Sequence, residues 1–263
     1  MELTVNGMKA YVYTGGKSFD AALPTVVFCH GAQCDHSVWI LQSRYLAHHG
    51  YGVLALDLPG HGRSAGPALE DIGDLADWIA AVLDAAGVKQ AAIVGHSMGS
   101  LIALECAARH PARIAKIAML ATAYPMKVSE QLLDATKNNE PVAQDMVNIW
   151  SHLAYAQYPN NPGPGFWVIG ENLRLMQRQK PGVMHTDFSA CNAYAGGAEA
   201  AAKVQCPALF LIARRDAMTP ARSAQSFAQS VQGARIVMIE GSGHNMMGEK
   251  PDEVLDALVA FLK

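Results

Sequence analysis

Short apolar runs alternate with amphipathic stretches along most of this chain. At the start, "LTV" and "KAYVY" flank Asn6-Gly7, a dipeptide suited to the positive φ angles of a two-residue hairpin turn. Unbroken apolar runs follow at 25–30, 52–57, 91–96 and 114–122. Their length and lack of alternation predict strands buried on both faces of a parallel sheet, joined by crossover helices. One such helix is expected over 69–86, and another over 97–110, where Pro111 stops it.

From 124 to 204 the pattern changes to amphipathic helical segments without a convincing strand, interrupted by the breaker "YPNNPGPG" at 158–165. This stretch is expected to be an inserted helical cap, and its proline- and glycine-rich segment a loop or lid hinge. Strand character returns at 207–213 and 234–240, with a helix between them opened by Thr219-Pro220. A last helix is expected from Pro251, its first turn carrying Asp252 and Glu253 where the helix dipole favours acids. The chain therefore divides into an α/β core, 1–123 and 205–263, and a cap, 124–204.

Composition narrows the field. The chain has 263 residues, 51% hydrophobic and 16% charged, which suits one globular domain with an insertion. No apolar run approaches the roughly 18 residues of a membrane span, and "MELTVNGMKAYVY" does not read as a secretory signal, so a cytoplasmic protein without a membrane partner is expected. A net charge of −3 with no basic run argues against nucleic acid. Cys29, Cys34, Cys106, Cys191 and Cys206 are odd in number, scattered and never in Cys-x-x-Cys spacing, so reduced thiols are expected and no metal site.

Within "AAIVGHSMGSLIALECAA", a serine stands between two glycines where a strand gives way to a helix. Such a turn pushes Ser97 out of the sheet at its carboxyl edge, and Gly95 and Gly99 leave room for the backbone to double back. The helix then aims its amino terminus beside the serine, and the Met98 N–H becomes a donor to developing negative charge. A serine hydroxyl is a weak nucleophile and needs a base oriented by an acid. Asp216 in "ARRDAMTP" and His244 in "GSGHNMM" follow the next two strands, in the order this topology demands. Asp187 and Glu240 are the other acids weighed for His244, and Asp216 is preferred by position.

These motifs together resemble the α/β-hydrolase superfamily over nearly the whole chain: "HGAQCDHSVW" its oxyanion-hole strand end, "DLPGHGRS" the loop after the next strand, "GHSMG" its nucleophile elbow, and "RRDAMTP" and "GSGHNMM" its acid and histidine turns. The resemblance implies a mostly parallel central sheet flanked by helices, with an inserted cap. It places the second oxyanion donor at the Ala32 N–H, with Gln33 as a contributor. His30, Asp57, His61, Arg63 and His96 also match family positions and are expected to fix loops through hydrogen bonds rather than to take part in the chemistry. It implies no cofactor. A serine at the elbow sets the chain apart from the dehalogenase and epoxide hydrolase branches, which place aspartate there.

The expected activity is hydrolysis of small, largely apolar carboxylic esters through an acyl-enzyme, with substrate and water as the only partners. Pocket candidates are Gln33, Trp39 and Met246 from the core, with Met126, Trp150, Trp167 and Phe188 from the cap. Carbon–carbon bond hydrolases of aromatic breakdown also use serine, but usually carry tryptophan after the histidine, where this chain has Asn245. Lactone and thioester hydrolysis share the same intermediate. A small-ligand binding protein is the alternative from another class, since fold alone never establishes activity. An apolar cap can cover a substrate or a second copy, so monomer and homodimer both fit.

Overall fold

The computed structural model describes residues 1–157 and 167–263; the breaker at 158–165 lies outside them. β1 (Glu2–Val5) and β2 (Met8–Tyr13) form the expected hairpin, with Asn6 at φ 50° and Gly7 at φ 77°. β3 (Thr25–Cys29) leads through a short turn into α1 (Ile40–His48), then β4 (Gly52–Leu56) and α2 (Ile72–Ala85). β5 (Ala91–His96) runs into α3 (Met98–Arg109), and β6 (Ile114–Leu120) ends the first half of the core. After it come α4 (Glu130–Asn138), α5 (Glu140–Ser151), α6 (Val168–Gln177), α7 (Val183–Ala193) and α8 (Gly197–Lys203). β7 (Ala208–Ala213), α9 (Ala221–Ala228), β8 (Arg235–Ile239), α10 (Met246–Glu249) and α11 (Pro251–Leu262) complete the chain.

The sheet has eight strands in the order β1-β2-β4-β3-β5-β6-β7-β8. β1 and β2 are antiparallel, β2 meets β4 antiparallel, and every later pairing is parallel. All residues of β3, β4, β5 and β7 are buried, which is why these strands read as unbroken apolar runs. The crossing from β3 to both β4 and β5 makes the carboxyl ends of β3 and β5 neighbours, Cys29 standing opposite Gly95. In open α/β sheets that edge, at a reversal of strand order, is where ligands bind.

Two apolar layers sandwich the sheet. On one face Ile79, Leu83, Leu101 and Leu104 pack with Val27, Ile93 and Phe210; on the other, Leu46, Leu258 and Phe261 pack with Phe28, Val94 and Leu211. A third cluster, with Leu132, Val147, Met176, Met184 and Phe188, draws α4 to α7 together over the sheet edge. α8 departs from this unit: Ala200 and Ala201 belong to the main core, and the helix packs on α3. Among the described residues, no helix is long and apolar enough to cross a membrane.

Candidate active site

The turn from β5 to α3 is held by its glycines. A Cβ on Gly95 would lie 2.0 Å from the Gly99 carbonyl oxygen, and one on Gly99 would lie 2.3 Å from that of Cys29. Packing this tight leaves Ser97 with φ 51° and ψ −117°, outside the comfortable regions for a residue with a side chain. Such strain persists only where the surroundings over-determine it, and it concentrates at functional sites. Ser97 is also the one residue of 91–100 that is not buried.

Asp216 and His244, from turns after β7 and β8, meet beside it. His244 Nδ1–H donates to Asp216 Oδ2 at 2.8 Å, and both side chains are buried. The other carboxylate oxygen accepts the N–H groups of Met218 and Thr219, each at 2.8 Å, while the Thr219 hydroxyl donates to Oδ2 at 2.6 Å. Burial by itself would raise the pKa of Asp216, but the His244 charge and hydrogen bond and the Thr219 donors outweigh it and hold it below the usual carboxylate range. The histidine turn has its own supports. His96 Nε2–H donates to the His244 carbonyl at 2.9 Å, and Glu249 Oε2 accepts the Gly243 N–H at 2.7 Å. Desolvation lowers His96 to a pKa of about 3, so it is a neutral group with one donor to offer.

Ala32 lines the same two spaces as Ser97, and Met98 follows Ser97 as the first residue of α3. Among the described residues neither backbone N–H donates to a protein acceptor. The strand end carrying Ala32 is pinned by His30, whose Nδ1–H donates to the Gly31 carbonyl (2.8 Å) and whose Nε2 accepts the Leu58 N–H (3.1 Å). Desolvation lowers the His30 pKa to about 4, in keeping with that one-donor, one-acceptor role. Asp57 ties down the neighbouring loop by accepting the N–H of His36 at 2.9 Å and that of Arg63 at 2.8 Å.

Ser97 and His244 open onto a cavity of about 360 Å3 bounded by Met126, Val128, Leu132, Phe188, Cys191 and Met218, with Trp150 and Lys127 at its exposed rim. A gap of about 30 Å3, also lined by Ser97 and His244, lies among Gly31, Val38, Asn172 and Met247. It shares Val38, Asn172, Asn245 and Met247 with a cleft of about 510 Å3 beneath α6, which holds none of Ser97, Asp216 and His244. Asp187 and Glu240, the other acids weighed, lie elsewhere: Asp187 contacts His61, and Glu240 pairs with Arg214 on the surface. His36, His152 and His185 bind Asp57, Asn245 and Thr136 respectively and do not face the cavity.

Four expected pocket residues sit differently. Trp39 is wholly buried, its ring 5.1 Å from that of Phe28, and Val38 faces the gap in its place. Met246 is likewise wholly buried, because residues 246–249 form a helical turn that directs Met247 to the gap. Trp167 is 62% exposed at the head of α6 and lies against Gly170. Gln33 lines neither space: its N–H donates to Asp187 Oδ2 at 2.7 Å and is not free for an oxyanion. Met218, Leu132 and Cys191 were not anticipated; only Met218, beside Asp216 in the acid turn, carried a signal in the sequence.

The chain belongs to the alpha/beta hydrolase family, whose profile matches residues 26–257. It is 25% identical over 248 residues to the (E)-2-((N-methylformamido)methylene)succinate hydrolase of Acinetobacter baylyi, with 90% of each chain covered. It is 27% identical over 258 residues to a bifunctional esterase/perhydrolase of Acinetobacter calcoaceticus, covering 91% of this chain and 92% of that one. Among solved structures, an enol-lactonase from Burkholderia xenovorans superposes with a TM-score of 0.87 at 23% identity, covering 100% of this chain and 99% of the other. An esterase from Exiguobacterium antarcticum gives 0.86 at 20% identity, covering 100% and 98%. These structural likenesses speak to the fold.

Proposed function

We propose that the protein is a serine hydrolase that cleaves small, largely apolar carboxylic esters through an acyl-enzyme. The observation that carries this reading is the strained Ser97 opening onto one cavity with a buried His244–Asp216 pair at 2.8 Å. Ser97 Oγ attacks the ester carbonyl while His244 Nε2 takes its proton. Asp216 holds the proton-bearing Nδ1 and stabilises the imidazolium. The carbonyl oxygen, now negative, is met by the Ala32 and Met98 N–H groups, and loss of one such donor typically costs about 10²–10³ in rate. His244 returns the proton to the leaving alcohol, and water then repeats the sequence to free the acid and Ser97.

The acyl group fits the cavity under Phe188 and Met126, whose volume of about 360 Å3 is small for a ligand site. The relative named as an esterase/perhydrolase, 27% identical over 258 residues, supports ester cleavage. The test is hydrolysis of p-nitrophenyl esters of increasing acyl length by wild type and Ser97→Ala, with fluorophosphonate labelling of both. Serine-dependent turnover peaking at a short chain is expected. Absence of both labelling and turnover in the wild type would defeat the reading and turn attention to small-ligand binding.

A further inference from the structure

Gln33, the residue after the Ala32 donor, is gripped by three helices of the cap. Its N–H donates to Asp187 Oδ2 on α7 at 2.7 Å; its Nε2 donates to Glu140 Oε1 on α5 at 3.0 Å and to the Met176 carbonyl on α6 at 3.4 Å. Its backbone is left-handed, φ 53°, in a residue with a full side chain. The Gln33 N–H bond to Asp187 is the one of these that holds the main chain; with the Cys34 N–H, which donates to the Gly31 carbonyl at 3.3 Å, it keeps the peptide unit next to the donor in a conformation that it would not choose alone. The acceptor is not a chance surface group. Asp187 is 1% exposed, more than a hundred residues from Gln33 in sequence, and the same oxygen receives His61 Nε2 at 2.8 Å.

His61 is itself clasped from both sides, its Nδ1 facing the Pro59 carbonyl at 2.9 Å. With an acceptor on each ring nitrogen, both must carry hydrogen, so Asp187 holds an imidazolium and a peptide N–H on one oxygen. Burial lowers the His61 pKa, but the Asp187 charge and hydrogen bond outweigh it and the net shift is upward. Asp57 on the same loop and His30, whose ring lies 4.8 Å away, are the other titratable groups facing this ring. Asp187 thus ties the oxyanion strand end, the loop after β4 and the cap together at one atom.

We propose that Asp187 is a positioning residue for the oxyanion hole: by holding the Gln33 N–H in place it aims the preceding Ala32 N–H at the reacting oxygen, so the hole is complete only with the cap docked. This rests on the serine hydrolase reading above. A group that merely held the cap closed would govern substrate retention, whereas one that aims an oxyanion donor acts only when negative charge has formed. The two roles separate in kinetics.

The experiment compares wild type, Asp187→Leu, Asp187→Asn and Ser97→Ala for kcat and KM on the best p-nitrophenyl ester. It adds the inhibition constant of an aliphatic trifluoromethyl ketone. In that adduct Ser97 Oγ bonds to the ketone carbon, the carbonyl electron pair moves to oxygen, and the hydroxyl proton passes to His244. Asp187→Leu, which removes the acceptor while keeping the branched side-chain skeleton, is expected to lower kcat about 10²-fold, with KM within about twofold of wild type. The ketone should weaken by the same factor. Asp187→Asn, which retains an oxygen for the Gln33 N–H but not the charge, is expected to lose only about tenfold in both. A folded Asp187→Leu protein with wild-type kcat, or with its whole loss in KM and undiminished ketone affinity, would overturn the proposal. Should Asp187→Leu fail to fold, wild-type kcat and ketone affinity in Asp187→Asn would overturn it equally. Turnover surviving in Ser97→Ala would instead remove the hydrolase reading on which the proposal stands.

Discussion

Replacing Asp216 with asparagine exchanges one carboxylate oxygen for an NH2 group and, on the geometry observed, reverses one hydrogen bond that the proposed mechanism needs. Oδ1 accepts two backbone N–H groups, from Met218 and Thr219, both at 2.8 Å. An asparagine must keep its oxygen there, because turning the amide would set its NH2 against both donors. Its nitrogen is thereby forced into the Oδ2 position, facing His244 Nδ1, which stands 2.8 Å from it in the native protein. The NH2 donates, so Nδ1 must accept, and the ring proton moves to Nε2, the atom that has to take the serine proton. The base is present in the wrong tautomer. An equivalent change in a Ser-His-Asp triad costs about 10⁴ in kcat, or about 5.4 kcal/mol of transition-state stabilisation at 1.36 kcal/mol per tenfold. Steady-state hydrolysis of a p-nitrophenyl ester measures it, with thermal unfolding as the check that the fold survives. The Thr219 hydroxyl, 2.6 Å from Oδ2, turns round to accept from the amide, so a small stability change is expected. A folded Asp216→Asn enzyme within tenfold of wild-type kcat would refute the reasoning, and would mean that another group orients His244.

Gly99→Ala is expected to reduce kcat more than 10²-fold and to destabilise the protein by about 1–3 kcal/mol or more; its Cβ would press on the Cys29 and His30 carbonyl oxygens at 2.3 and 2.7 Å. Urea unfolding and ester turnover read the two effects, and a variant normal in both would show that the elbow has slack. Phe188→Ala, which removes a ring lining both the cavity and the gap beside Ser97, should move the preferred acyl chain to greater length; an unchanged optimum would mean that the ring does not bound the acyl site. Acid should weaken the fold well above the carboxylate range. His30 and His152 have pKa values of about 4 and His96 of about 3, all lowered chiefly by burial. In the unfolded chain they titrate near about 6.5. Between those limits the unfolded state binds more protons, so stability must fall as pH drops from about 6.5 to 4, by up to about 1.36 kcal/mol per pH unit for each group. The raised His61 pKa adds no slope there, because that residue is protonated in both states below about 6.5. A melting temperature that is flat between pH 5 and pH 7 would contradict this.

Most of the architecture was legible in the chain because buried parallel strands and their breakers are local signals. The fully buried strand at 91–96 had to read as an apolar run, and Gly95 and Gly99 had to be glycines once their Cβ positions coincide with backbone atoms. Asp216 and His244 stood out because each follows a strand, and a parallel sheet brings every such end to one edge. What the sequence alone determined was this framework: strand order of appearance, the elbow, and which residues reach the common edge. Tertiary structure decided everything that depends on rotation about a short element or on contact between distant segments. Val38 rather than Trp39, and Met247 rather than Met246, face the gap beside Ser97, since one step around a helical turn swings a side chain by about 100° and no local pattern sets that angle. Asp187 came to hold Gln33 and His61 only through the packing of α7 over the sheet edge, and no periodicity could show it, because that contact joins segments whose spacing is set by packing rather than by the chain.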